Sequence, residues 1–406
     1  MTGAVEARTE QAGDPGLPPS RPAGRPGRPL PVLGRGTAVL GWVLVPWAVT
    51  RVVVLGTLAL AHLIVTHTHP TGSGVAFRVH QGLLGWDAGW YQSIAGVGYG
   101  PLGHQSLRFF PLFPLAGRAL ALVPGVHDGA ALLVVANLGS LVGTALLFVL
   151  VRRELGDDGV ATRTVWLLSL APAAFTFVMG YAEGLLLVWT TACFLALRPA
   201  AGRRPAWWWA AGFGLAAALT RPLGVLLVLP AALEAFRAWR TTPARYRPGV
   251  VAAVLGPVGG ILIFLGWAQA AVGDFWEPLR VQTQGQHHGG LSDPFRTLVD
   301  DARGVLHHHF GTALHVPWVL VVLALLVVCW RRLPPAYGAF ATGTVLMALA
   351  GTNLDSFERY ALSAFPLVIA GATLIGRHEI ERPVLVLAGA LLAGYALLSF
   401  LNLSVP

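Results

Sequence analysis

Of 406 residues, 55% are hydrophobic and 12% are charged, against roughly 25% charged in an ordinary soluble domain. With a mean hydropathy of +0.63, the chain carries more apolar surface than a water-soluble fold can hide, which excludes a soluble globular protein. The formal charge of +9 comes from arginine alone, dispersed among connecting segments rather than massed in a patch, so no nucleic-acid partner is implied.

Residues 1–36 are rich in Pro, Gly and Arg and poor in apolar side chains. Such a segment buries too little surface to fold, and a disordered cytoplasmic tail is expected. It is not read as a cleavable signal peptide, because the first apolar run is too long and lacks a small-residue cleavage site. The remaining residues, 37–406, are read as one membrane domain.

A helix needs about 20 apolar residues to cross the hydrocarbon. The runs near 38–66, 129–151, 159–180, 248–272, 316–330 and 383–401 are clear candidates, and further short ones lie at 183–198, 206–220, 222–239, 336–352 and 359–376. Together they predict an all-α polytopic bundle of about eleven transmembrane helices. Cys193 and Cys329 lie inside these runs, so buried thiols without a disulfide framework are expected.

With the N-terminus inside, Arg152 and Arg153, Arg198 to Arg204, Arg237 to Arg247, Arg331 and Arg332, and Arg377 to Arg382 all fall in cytoplasmic turns. The other connections then face outward, the largest being 67–128 and 273–315, and the location expected is the cell membrane. A one-helix error in the count would reverse the pattern from that point onward. The weakest spans meet at Arg221-Pro222, which reads as two shortened helices or one kinked segment.

The first outer loop carries Trp86, Asp87, Trp90 and Tyr91, followed by Arg108-Phe109-Phe110-Pro111-Leu112-Phe113-Pro114-Leu115. Aromatic residues at this density favour the membrane interface, so the loop is expected to lie along the outer leaflet as short amphipathic helices. Asp87 is the only acidic residue between Asp14 and Asp128. It reads either as the N-cap of a helix starting at Ala88 or as a general base, and the two roles are compatible.

Further charges stand at outer helix ends: Glu183, Arg221, and the pair Glu358-Arg359 beside Tyr360. Ionisable groups are costly there and are usually functional or paired. One reading pairs Glu183 with Arg221 or Arg359 to hold the bundle together. The other makes the two arginines clamps for a phosphate, which guanidinium geometry suits.

In the second outer loop, His287, His288 and His307 to His309 lack zinc-type spacing and are read as a solvated or substrate-contacting set. Asp274, Asp293, Asp300 and Asp301 leave room for a divalent cation that the chemistry does not require. No Gly-rich phosphate loop follows a strand, so nucleotide hydrolysis is not indicated.

Taken in order, Trp86-Asp87 with Trp90-Tyr91, Phe109 to Leu115, Tyr181-Ala182-Glu183, Thr220-Arg221-Pro222-Leu223-Gly224, and Ser356 to Pro366 resemble the PIG-V family of mannosyltransferases, membrane glycosyltransferases of the GT-C fold. The resemblance covers about residues 84–370. The arginine-only basic set, with abundant Ala, Gly, Leu, Val and Pro, is similar to that of GC-rich, actinobacterial-type members. Two positions depart from the family pattern. Gly184 follows Glu183 where the family has Ser, and Glu358 stands where a neutral residue is more usual.

The resemblance implies an inverting transfer of a hexose, mannose by analogy, from a polyprenyl-phosphate donor to a lipid or glycan acceptor hydroxyl at the extracytoplasmic face. The family's eukaryotic members use dolichyl-phosphate mannose to add the second mannose of the GPI anchor. The catalytic acid of the GT-C fold lies in the first outer loop, and its counterpart here is Asp87. Arg221, Arg359 and Arg108 would bind the donor phosphate. Trp86, Trp90, Tyr91, Glu183, His287, His288, Glu358 and Tyr360 would contact substrate.

The competing class is a lipid or glycolipid flippase or transporter. Transporters often carry inverted repeats and midplane sites. No clear internal repeat is present, and the charges gather at outer helix ends.

Overall fold

The computed structural model describes residues 32–68, 73–200, 202–283, 315–351, 354 and 356–405, with isolated positions between 284 and 314. Every regular element among them is helical. In chain order they are α1 Val32–Thr68, α2 Ser73–Gln81, α3 Asp87–Val97, α4 Leu112–Ala121, α5 Asp128–Leu155, α6 Asp158–Leu170, α7 Glu183–Leu197 and α8 Trp207–Thr220. There follow α9 Val228–Ala238, α10 Arg247–Val272, α11 Glu277–Arg280, α12 Val316–Arg332, α13 Pro335–Leu349, α14 Phe357–Ser363, α15 Phe365–Leu374 and α16 His378–Phe400. α1 thus starts at Val32, so residues 32–36 are helical.

Among the described residues four stretches are long and apolar enough to cross a membrane: Gly41–Thr68, Asp128–Leu155, Ala244–Val272 and His378–Phe400. Their outward faces are apolar, as Val52 (71% exposed) and Val386 (73%) show. Apolar surface of that extent belongs in lipid. The chain is an all-α membrane protein.

Three of the apolar runs do not form a single uninterrupted α-helix. The run 159–180 ends its α-helix at Leu170 and continues as a 3-10 turn over Pro172–Phe177. The run 222–239 opens with a 3-10 turn, Pro222–Leu227, before α9. The run 359–376 divides into α14 and α15 at Ala364. Each interruption coincides with a proline in the first turn after the break, at Pro172, Pro222 and Pro366. Proline suits a helix start and disfavours helical backbone in the residue before it.

Two close helix pairs hold the bundle, both running parallel and built on small residues. On α5 and α7, a Cβ added at Gly139 would lie 3.0 Å from the Gly184 backbone, and one at Gly184 only 2.4 Å from the Ala136 carbonyl oxygen. On α8 and α10, a Cβ at Gly256 would meet the Ala211 carbonyl at 2.3 Å and one at Gly260 the Leu215 carbonyl at 2.5 Å. In a membrane, where lipid is as apolar as leucine, such backbone contact supplies the packing attraction.

The bundle has two chemically different ends. At one, Arg198 pairs with Glu154 at 2.6 Å and with Glu234 at 2.6 Å, and the Tyr337 hydroxyl donates to Glu154. At that same end of α7, the Arg153 guanidinium donates to the Leu195 carbonyl. The start of α7 lies at the other end, together with α3.

Candidate functional site

Asp87 is the first residue of α3, not its cap. The cap position belongs to Trp86, whose φ of 58° is left-handed and whose side chain makes no capping bond. A bulky residue held there is strained by about 1–3 kcal/mol. Trp86 is fixed by its Nε1 donating to the Ser399 carbonyl at 3.1 Å and by the Arg78 guanidinium lying 3.9 Å from its ring centroid. The N-cap reading of Asp87 therefore fails, because the tight turn advances the helix start by one residue and turns the carboxylate toward cations instead.

Those cations are Arg359, whose Nη1 donates to Asp87 Oδ2 at 2.7 Å, and Arg108, whose Nη2 lies 3.4 Å from Oδ1. The Asp87 backbone N–H donates to the Tyr181 hydroxyl at 3.3 Å. Burial pushes the Asp87 carboxyl up, but Arg359 and Arg108 outweigh it and hold the group below its ordinary value of 3.8.

A second carboxylate completes the cluster. Glu183, 5% exposed and first in α7, is paired with Arg221 through Nη1 and lies 3.5 Å from Arg359 Nε. Sequence reasoning offered either pairing, and the structure contains both. The Tyr360 ring adjoins both arginines, with centroid distances of 5.3 Å to Arg221 and 5.8 Å to Arg359. Among the described residues three arginines thus meet two carboxylates at the starts of α3 and α7, the end of α8 and the start of α14.

α3 is held in place by aromatic packing. Tyr91 is buried edge-on against Phe109 and Phe113, each 4.9 Å away, while the exposed Trp90 stacks on Phe109 at 5.8 Å. The Tyr91 ring thus anchors the helix, while the side chain stays within electrostatic reach of Arg221, Glu183, Asp87 and Arg359. The stem of the second long connection docks nearby, where Gln282 Nε2 donates to the Arg108 carbonyl at 2.7 Å and His104 meets Glu277 at 3.0 Å.

Glu358 does not join the cluster. It pairs with the buried His315 at 2.8 Å and accepts from the Tyr395 hydroxyl at 3.3 Å, which in turn accepts from Trp318 Nε1 at 2.7 Å. His287 and His288 lie outside the described residues, as do His307 to His309. Asp274, offered for a cation, binds Arg280 at 2.6 Å instead. Among the described residues no group of three or more His, Cys, Asp or Glu is arranged to hold a metal ion.

Two participants escaped the sequence reading, and Tyr181 entered it only through the Tyr181-Ala182-Glu183 motif, with no role assigned. His315 carries no motif signal for its contact. Arg51, in the middle of an apolar run, does carry one, since an ionisable residue inside a spanning helix asks for a partner.

Gly184 and Glu358, the two positions that depart from the resembled pattern, have local reasons. At Gly184 the α5 backbone leaves no room for a side chain, and Glu358 is matched by His315. Replacing Gly184→Ser is expected to destabilise the protein by about 1–3 kcal/mol through forced separation of α5 and α7. Thermal unfolding in detergent measures this, and an unchanged midpoint would refute the close-packing account.

The fold and the cluster define a polytopic membrane protein with a buried, arginine-rich ionic site at one end of its bundle. No protein-family model matches the chain, and no curated protein matches it.

Proposed function

We propose that this chain is an inverting glycosyltransferase of the PIG-V-like, GT-C type. It moves a hexose, mannose by resemblance, from a polyprenyl-phosphate donor to a lipid or glycan hydroxyl at the extracytoplasmic face of the cell membrane. The proposal includes about eleven crossings and a cytoplasmic N-terminus. The observation that carries it is the Asp87 carboxylate in direct contact with Arg359 and Arg108, with Arg221 held alongside by Glu183.

In this reading Asp87 accepts the proton of the acceptor hydroxyl as its oxygen attacks the anomeric carbon. The carbon–oxygen bond to the phosphate breaks on the opposite side, and the lipid phosphate leaves as an anion. Arg359, Arg108 and Arg221 stabilise the charge gathering on that leaving group. The same arginines lower the proton affinity of Asp87. An incoming phosphate shares them, which returns basicity to Asp87 as the donor binds. A lipid phosphate leaves readily, so positioning and charge stabilisation suffice for the step.

The test is transfer in proteoliposomes from polyprenyl-phosphate mannose radiolabelled in the sugar, with extracted membrane lipids and glycans as the acceptor pool. The expected result is a labelled product whose anomeric configuration is opposite to the donor's. Donor movement between leaflets without formation of a glycosidic bond would replace this reading with a flippase.

A further inference from the structure

Midway along α1 sits a cation that the ionic site does not use. Arg51 lies within the spanning stretch Gly41–Thr68, where a charged side chain is expensive and is kept for a reason. No carboxylate among the described residues pairs with it. Its Nε donates to Asn137 Oδ1 at 2.9 Å, its Nη1 to the Trp47 carbonyl at 3.1 Å, and its Nη2 to Ser140 Oγ and to the Phe177 carbonyl at 3.0 Å. The guanidinium also lies 4.0 Å from the centroid of the Trp47 ring. Asn137, oriented by this contact, donates from Nδ2 to the Val178 carbonyl at 3.1 Å.

Phe177 and Val178 belong to the stretch between α6 and α7, where the chain departs from α-helix at Ala171-Pro172. Carbonyls freed by such a break must find donors, since lipid offers none. Arg51 and Asn137 are those donors. Two residues beyond Val178, the Gly180 N–H donates to the Leu83 carbonyl at 3.0 Å, tying the stretch to the segment just before Asp87. Tyr181 then receives the Asp87 N–H, and Glu183 opens α7.

We infer that Arg51 is a positioning residue of the Asp87 site. It clamps the non-α stretch 171–182 in the arrangement that sets Tyr181 against Asp87 and Glu183 against Arg221. The effect on turnover rests on the transferase reading, whereas the clamp itself does not.

The full chain in proteoliposomes supplies both readouts, with Arg51→Met and Arg51→Lys compared. A reporter thiol, Val178→Cys, is placed in a Cys193→Ala, Cys329→Ala background, since Val178 is 2% exposed and packed beside the clamp. Maleimide labelling is expected to be about tenfold faster in Arg51→Met than with Arg51 in place, as local opening becomes easier. Arg51→Lys keeps the charge without the planar fork and should fall between the two.

For transfer, kcat per folded molecule should drop about a hundredfold in Arg51→Met, the size of effect that a misplaced site produces. KM for the donor should stay within about threefold, because the phosphate ligands are untouched. Unchanged labelling, or a loss of protein with full kcat in the molecules that remain, overturns the inference. If Arg51→Met does not accumulate, Arg51→Lys decides by the same two measurements. A wild-type protein that transfers no sugar removes the transferase reading alone, and the labelling rates still judge the clamp.

Discussion

Asp87→Asn is expected to cut sugar transfer by about 10²–10⁴-fold, the range attributable to a positioned general base, with donor binding retained. The substitution keeps the shape of the side chain and removes its charge. What it abolishes is therefore proton acceptance, together with one of the two acids that hold Arg359. Quantifying folded protein in parallel separates the two effects, and transfer that survives at the wild-type rate would dismiss Asp87 as the base.

A pH series adds an independent reading of the same carboxylate. Because its folded value is below the ordinary 3.8, Asp87 stabilises the fold above the pH at which the unfolded group ionises. That contribution is lost as the pH falls through the lower folded value. The unfolding midpoint of the wild type should consequently fall more steeply than that of Asp87→Asn below about pH 4, and parallel curves would argue that the arginines do not grip this group.

The second large effect is expected at Glu183. Glu183→Ala leaves Arg221 buried without its acid and strips Arg359 of one of two, which is expected to cost about 3–5 kcal/mol. Much of that cost is the uncompensated cation rather than the lost bond. Adding Arg221→Met should accordingly restore about half of the stability, a negative coupling that a double-mutant cycle on unfolding free energies measures. Losses that simply add would mean the two side chains act separately. Transfer by the double variant should stay low even where stability recovers, since one of the three cations proposed to hold the donor phosphate is gone.

Much of the architecture is readable from the sequence, because runs such as 129–151 and 248–272 exceed what a membrane crossing needs and end in helix-stopping residues. α5, for instance, closes on Gly156 with φ of 66°, and Asp157 caps α6 through the Val160 N–H. The interruptions at Pro172 and Pro366 are marked by their prolines. Whether a proline kinks a span or divides it depends on donors supplied by other helices, as Arg51 does for Phe177, and sequence order does not reveal these. The start of α3 lies one residue earlier than the sequence suggests for a similar reason. Its left-handed turn is taken by Trp86 instead of a glycine, so no local signal announces it.

For the site, the list of charges was legible and their pairing was not. Glu183, Arg221 and Arg359 are far apart in the chain, and only the fold shows that one carboxylate serves both arginines. Glu358, adjacent to Arg359, reads from the sequence as a substrate contact in the same site. One residue of helix rotates the side chain by about 100°, and that is enough to send Glu358 to His315 while Arg359 turns toward Asp87.

α7 is only 15 residues long, about 22 Å at 1.5 Å per residue, whereas the hydrocarbon slab measures about 30 Å. Its far terminus is moored by Arg198 among Glu154 and Glu234, where the basic turns would meet the water boundary. In the proposed eleven-crossing arrangement the opposite terminus would fall short of the other boundary by several ångströms. So short a helix would place the Glu183 ion pairs beneath the lipid surface, in a medium that amplifies every charge placed there.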